Sequence, residues 1–252
     1  MTFARRILTA ALLASALPLA VHAAPAAVAA AVASADRPET ARKQDETRRP
    51  VDVLTFAGLK KGDRALDVMA GGGYYSEIIA KAVGPKGSVI AFEPTNFVDD
   101  KLRATFAEMV KRAPNVRLSV ATVDEASFAP KSLDFTLMHL TYHDLYWESE
   151  KFKFPRTDPA KFLAKVYAAT KPGGVVAIVD HVGDPGDPRV TADKVHRIDP
   201  GVVKADFKAA GFVLDGESPL LRMPNDDHAK LVFDPTVRGK TDRFLFRFKK
   251  PR

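Results

Sequence analysis

The stretch Arg64-Ala-Leu-Asp-Val-Met-Ala-Gly-Gly-Gly-Tyr-Tyr-Ser-Glu77 reads as strand, glycine turn and helix. Residues 65–69 are a short apolar run with one acid, Asp67, inside it, and residues 74–82 continue in a helical pattern. Between them Gly71, Gly72 and Gly73 can take the positive φ angles of a sharp turn. Such a turn brings a ligand against bare backbone, and the N–H groups opening the next helix favour anionic or hydroxyl-rich groups. A nucleotide-type ligand is the expectation, with a glycine-rich turn that binds nothing as the competing reading.

Helices and strands alternate on both sides of this turn. Upstream, the polar residues 37–49 and the apolar positions within 50–59 predict two helices, and Lys60-Lys61-Gly62-Asp63 turns the chain into the first strand. Downstream, Ile78, Ile79 and Ala82 give the helix an apolar face, and Gly84-Pro85-Lys86-Gly87 ends it. Residues 88–92 form a second strand closed by Glu93, where an acid can accept hydrogen bonds from two ribose hydroxyls. Leu102, Phe106, Met109 and Val110 repeat at helical spacing behind Asp99 and Asp100 and belong to the core. Residues 116–121 make a third strand, followed by Asp124, an acid placed to accept from an adenine amino group. A fourth strand over 133–139 runs into Thr141-Tyr-His-Asp-Leu-Tyr-Trp147, whose polar and aromatic density suits a binding loop. Asp158-Pro159 caps a helix carrying Phe162, Leu163, Val166 and Tyr167, which Lys171-Pro-Gly-Gly174 stops before a fifth strand over 175–180. Asp199-Pro200 caps another helix, a sixth strand begins at Phe212, and residues 243–249 alternate Phe244, Phe246 and Phe248 with Leu245, Arg247 and Lys249. That period of two suits an antiparallel strand with unequal faces and completes a three-layer α/β domain.

Composition narrows the classes. A chain of 252 residues with 46% hydrophobic content accommodates one domain and a tail. The formal charge of +7 is spread as Lys and Arg interleaved with Asp and Glu, without an aromatic-basic stripe, which argues against a nucleic-acid partner. With no cysteine, disulfides, thiolate metal sites and a Cys nucleophile are excluded. Arg5 and Arg6, the apolar residues 7–21 and Val21-His22-Ala23 predict a secretory signal peptide over residues 1–23 and a periplasmic or secreted protein. Its apolar run, interrupted by Pro18, is too short to hold the protein stably in a membrane, and general and twin-arginine export both remain open. Residues 24–36 read as an Ala-rich linker, flexible or a frayed helix and outside the core, and residues 37–252 as the domain.

Over roughly residues 50–250 the chain resembles a class I S-adenosylmethionine-dependent methyltransferase. The family's acid-x-Gly-x-Gly-x-Gly motif is similar to Asp67-Val-Met-Ala-Gly-Gly-Gly73, with Met69 standing where the first glycine is usual. Glu93 matches the ribose-binding acid, Asp124 the acid near adenine, and Lys171-Pro-Gly-Gly174 and Ala210-Gly-Phe212 are typical of the segments before the fifth and sixth strands. More narrowly, Gly-Gly-Gly-Tyr-Tyr-Ser-Glu, Tyr-His-Asp-Leu-Tyr-Trp, His196-Arg-Ile-Asp-Pro200 and Arg238-Gly-Lys-Thr-Asp-Arg243 resemble a group of exported bacterial methyltransferases. The resemblance implies a Rossmann-like methyltransferase fold, with a mostly parallel seven-stranded sheet and an antiparallel last strand. It also implies S-adenosylmethionine as cofactor, held by Asp67, Gly71, Gly72, Gly73, Glu93, Asp124 and His139. A Rossmann dehydrogenase fits less well, because Ser76 stands where its third glycine or alanine belongs.

In open α/β sheets ligands bind beyond the carboxyl ends of the strands. His139, His143, His181, His196 and His228 all fall in or beside the segments that follow strands four to six, and the long connection over 218–241 leaves the same edge as a lid or binding loop. Methyl transfer is an in-line displacement, so the protein must align a nucleophile and, for some acceptors, take up a proton. His143 with Asp144 is the first choice for base or orienter and His181 the second; Tyr142, Trp147, His196 and His228 are the candidates for binding a small-molecule acceptor, with packing as the competing reading for Tyr142 and Trp147 and loop ordering for His196 and His228. Metal-assisted O-methyl transfer through Asp144, Asp180 and His181 is conceivable, but no compact ligand spacing supports it, and no metal is expected. An exported binding protein that keeps this fold without catalysis is the alternative function.

Overall fold

A computed structural model describes residues 26–252. The expected signal peptide over residues 1–23 lies outside the described residues. The sheet has seven strands: β1 (Arg64–Val68), β2 (Ser88–Pro94), β3 (Val116–Ala121), β4 (Leu133–His139), β5 (Thr170–His181), β6 (Val213–Ser218) and β7 (Arg243–Lys249), in the order β3-β2-β1-β4-β5-β7-β6. Paired neighbours from β3 through to β5 run parallel, while β7 lies antiparallel to both β5 and β6. This is the Rossmann-like methyltransferase fold expected from the sequence. The chain order reverses between β1 and β4, so the loops leaving those strands open a crevice at their carboxyl ends.

Strand side chains alternate between two cores. Leu66, Val68, Phe92, Met138, Val176, Ile178 and all three β7 phenylalanines face one of them. Ala65, Val89, Ala91, Phe135, Leu137, Ala177, Val179 and Leu245 face the other. The first core is covered by α7 (Pro159–Ala169) and α9 (Pro200–Ala209), with α8 (Pro188–Val195) between them in sequence contributing Ala192. The second is covered by α1 (Ala26–Val32), α4 (Pro50–Ala57), α5 (Tyr74–Val83) and α6 (Asp100–Arg112). Between α1 and α4 lie two short turns of helix, α2 (Glu39–Arg42) and α3 (Asp45–Arg48). The Asp-Pro pairs act as expected: the Asp158 carboxylate accepts from Ala160 N–H at 3.0 Å, and the Asp199 carboxylate from Gly201 N–H at 2.7 Å.

Two expectations change. Residues 26–32 are neither a flexible linker nor outside the core: they form α1, whose Val28 and Ala31, three apart on one helix face, are buried in the second core. Alanine's small side chain lets α1 lie close to α5, so a low-complexity composition here serves packing. The single solvated helix expected over 37–49 is instead α2 and α3, organised by Arg37, which is buried and paired with Asp45 at 2.8 Å. The long connection after β6 is free of regular structure and is anchored. Its Asp226 forms an ion pair with Arg197 at 2.7 Å with both side chains at 0% exposure, and Asp242 pairs with Arg222 at 2.8 Å.

Candidate functional site

The glycine turn uses backbone angles that few residues tolerate. Met69, Gly71 and Gly73 all have positive φ, at 52°, 53° and 76°, which is where glycine is least strained. The turn is held from two directions. Ala70 N–H donates to the Phe92 carbonyl at 3.0 Å, and Gly71 N–H donates to the Glu93 carboxylate at 2.8 Å. Glu93 is buried, and that burial pushes its carboxyl up to about 7; Gly71 N–H opposes the shift, while Asp67 and Asp144 add to it. Asp67 accepts a 2.6 Å hydrogen bond from Ser76 Oγ, so it ties β1 to α5 from behind the turn, and burial raises its carboxyl to about 6. Ser76, the residue that argued against a dehydrogenase, is therefore Asp67's partner. Beside Gly71 and Gly72 an added Cβ would meet nothing within 4 Å. Backbone is open there to a ligand.

A cavity of about 460 Å³ lies against this turn, walled by Arg37, Arg48, Gly72, Tyr74 and His139. α2 and α3 close it from above: Tyr74 OH donates to Asp45 at 2.6 Å, Tyr75 OH donates to the Arg48 carbonyl at 3.2 Å, and the Arg48 guanidinium sits 4.5 Å over the Tyr74 ring. His139 is packed on Tyr75 with ring centroids 4.6 Å apart, and its Nε2 is buried without a hydrogen-bond partner among the described residues. Burial, with Arg48 and Arg243 nearby, holds His139 well below the ordinary imidazole range, so it is neutral. Arg48 and the two tyrosines were not expected from the sequence. They come from the N-terminal polar segment and from the helix after the turn, neither of which looks like a ligand wall before folding. Asp124 is exposed after β3, and its carbonyl accepts from Lys165 Nζ.

The ends of β4 and β5 bring a second group together. A short 3-10 helix, His143–Leu145, presents His143 to Asp180 at the end of β5. Asp180 is fully buried; His143 Nδ1 lies 2.8 Å from one of its oxygens, and His143 N–H donates to the other at 2.9 Å. His143 Nε2 faces Asp144 at 3.4 Å, and His196 Nδ1 lies 3.8 Å from the same Asp144 oxygen. Burial disfavours the His143 cation, but Asp180 and Asp144 outweigh it and raise the imidazole to about 9. At neutral pH the ring therefore carries its proton and can donate hydrogen bonds. His181 is 5.9 Å from the His143 ring between centroids, meets Thr241 Oγ1 at 2.7 Å, and is kept neutral by burial.

The acceptor candidates divide. His196 is in the cluster, its ring 5.1 Å from Trp147 and 5.2 Å from the exposed Phe233, and Trp147 stacks in turn on Phe154. Tyr142, expected to bind the acceptor, is instead fully buried in the first core with its hydroxyl donating to Asp206 at 2.7 Å. It is a packing residue. His228 stands apart, between Asp184 at 3.0 Å and Asp242 at 3.5 Å, and orders the long loop instead of lining the cluster. Asp180 and Phe233 complete the group. From the sequence Asp180 is a candidate only as a metal ligand, and nothing in the local sequence around Phe233 marks it.

Residues 66–178 match the methyltransferase domain family. Demethylmenaquinone methyltransferase of Geobacillus kaustophilus is 25% identical over 130 residues, covering 51% of this chain and 50% of that protein. The chain spans no more than half the length of the curated relatives it matches. Among solved structures, an S-adenosylmethionine-dependent methyltransferase from Aquifex aeolicus superimposes with a TM-score of 0.57 at 24% identity, over 83% of this chain and 96% of that one. The [4+2]-cyclase SpnF superimposes equally well, with a TM-score of 0.57 at 16% identity over 84% of this chain and 80% of its own. At these identities the shared property is the fold.

Proposed function

We propose that the chain is an S-adenosylmethionine-dependent methyltransferase acting on a small-molecule acceptor. The observation that carries this reading is Glu93: a buried acid at the end of β2, fixed against Gly71 N–H and facing a turn whose backbone is open. An ionised carboxylate there would accept from ribose hydroxyls, and Asp124, exposed after β3, would accept from the adenine amino group. Arg48 supplies a cation for the carboxylate of the methionyl portion, within the cavity that His139 also lines. When bound, the cofactor supplies an electrophilic methyl carbon on a sulfonium. On the acceptor side, the protonated His143 ring and Asp144 orient the nucleophile in line with that carbon. Trp147, His196 and Phe233 give the same opening an aromatic wall.

Calorimetric titration with S-adenosylhomocysteine tests the reading. Binding that weakens in Glu93→Ala and Gly71→Val supports it, and the absence of binding at millimolar concentration overturns it. The leader-like residues 1–23 support a periplasmic or secreted location, which cell fractionation and sequencing of the mature N-terminus check. The same residues favour one alternative, an exported binding protein without turnover, because the cofactor is made in the cytoplasm. Release of S-adenosylhomocysteine in a screen of small acceptors separates the two.

A further inference from the structure

We propose that His143, Asp144 and His196 form a binding site for a single divalent transition-metal ion, with Asp180 holding the first of them in place. One nitrogen from each histidine and one carboxylate oxygen from Asp144 lie within 4.8 Å of one another. The separations of 3.4 Å from His143 Nε2 and 3.8 Å from His196 Nδ1 to the Asp144 oxygen are too long for hydrogen bonds. Yet the three groups converge. Bonds of about 2.0–2.1 Å to a common ion put neighbouring ligand atoms about 3.0–3.4 Å apart, so the cluster needs only small side-chain rotations to close on one.

The surroundings fix which atoms are offered. Asp180 is at 0% exposure and its oxygens are already engaged by His143 Nδ1 at 2.8 Å, His143 N–H at 2.9 Å and His181 N–H at 2.7 Å. It therefore does not join the ligand set; it engages Nδ1, so that Nε2, toward Asp144, is the nitrogen on which an ion replaces the proton. A buried carboxylate behind a ligating imidazole is the arrangement that orients such rings and raises their basicity. His196 is held between Trp147 and Phe233. Its side chain is 15% exposed and that of Asp144 20%, so solvent and a further ligand can reach the ion.

Two imidazoles and one carboxylate with open positions suit Zn²⁺, Fe²⁺, Mn²⁺ or Co²⁺, whereas Mg²⁺ and Ca²⁺ want oxygen ligands throughout. The site opens beside the cleft assigned to the methyl donor, and Asp144 is near enough to Glu93 to influence its carboxyl. An acceptor that presents a hydroxyl or thiol would bind through that atom. This role in catalysis rests on the methyltransferase reading; metal binding itself does not.

The test uses untagged full-length protein stripped with EDTA, dialysed, and titrated with Co²⁺ and separately with Zn²⁺, followed by calorimetry and the visible spectrum of the cobalt form. The expected result is one ion per chain. His196→Ala and Asp144→Asn, both at partly exposed positions, should each lose at least about 100-fold in affinity, Asp180→Asn about 10- to 100-fold, and His228→Ala nothing. Failure to bind a stoichiometric ion at 0.1 mM metal on the order of ordinary site affinities, or affinity unchanged in both His196→Ala and Asp144→Asn, overturns the proposal. S-adenosylhomocysteine titrated into the same samples reads the methyltransferase assignment separately: metal without cofactor sinks that assignment alone, and cofactor without metal sinks the metal site alone.

Discussion

Met69 and Glu93 hold opposite sides of the glycine turn, and each carries a cost that the rest of the site offsets. Met69 has φ 52° where a glycine is usual, but its side chain is only 8% exposed in the first core. The left-handed angle costs about 1–2 kcal/mol for a residue with a Cβ, while removing a buried Met side chain costs about 2–5 kcal/mol. Burial wins, so Met69→Gly should lower stability by roughly 1–3 kcal/mol in denaturant unfolding, although it restores the more usual motif. Glu93 has its carboxyl raised from 4.5 to about 7 by burial. An acid with a raised folded pKa favours the protonated folded state, so its penalty to the unliganded protein is absent below 4.5, grows through the window and is complete above about 7. Ribose hydroxyls need the ionised form, so affinity for S-adenosylhomocysteine should rise about tenfold from pH 6 to pH 8 and lose that dependence in Glu93→Gln. A flat pH profile in the unmodified protein contradicts the ribose assignment.

At the scale of elements, the long connection between β6 and β7 is pinned rather than mobile in design. Arg197, directly after His196, forms its ion pair with Asp226 under complete burial, and further donates to the carbonyls of Lys230 at 3.0 Å and Val182 at 3.2 Å. Removing one partner leaves a charge buried without compensation, which is worth about 3–5 kcal/mol. Asp226→Ala should therefore lower stability by about that amount and release Phe233 from the His196 ring, visible as increased hydrogen exchange over residues 226–242. Wild-type protection in that segment would show that the ion pair does not hold the loop. α1 makes the complementary point. A run of Ala and Val carries little amphipathic contrast, so its buried face, set by Val28 and Ala31, becomes evident only against α5. α8 escaped notice for a related reason: its short sequence between Asp187 and His196 buries only Ala192.

For the molecule as a whole, the succession of strands and helices and the three-layer class were legible in the sequence because period-two alternation, Asp-Pro caps and glycine turns are local signals that packing reinforces. The Phe face of β7 is the clearest instance, since Phe244, Phe246 and Phe248 all enter the first core. The meeting of the glycine turn with Glu93 was readable for the same reason: Gly71 and Glu93 follow or end the adjacent strands β1 and β2 and meet at 2.8 Å. The acceptor side was only half readable. His143 and Asp144 announce themselves in a dense loop, but His196 joins them only because α8 returns the chain to the carboxyl edge of β4 and β5, and Tyr142 turns inward despite its polar neighbours. Whether a side chain faces the crevice or the core is decided by tertiary packing, which local spacing does not encode. The central claim, that the glycine turn after β1 is an adenosyl cradle organised by Glu93 at the end of β2, is tested most directly by titrating S-adenosylhomocysteine into the purified protein and its Glu93→Ala variant at pH 8. Stoichiometric binding that falls at least about tenfold in the variant, a loss of about 1.4 kcal/mol, is the predicted result; equal affinity in the two proteins, or no binding in either, would contradict it.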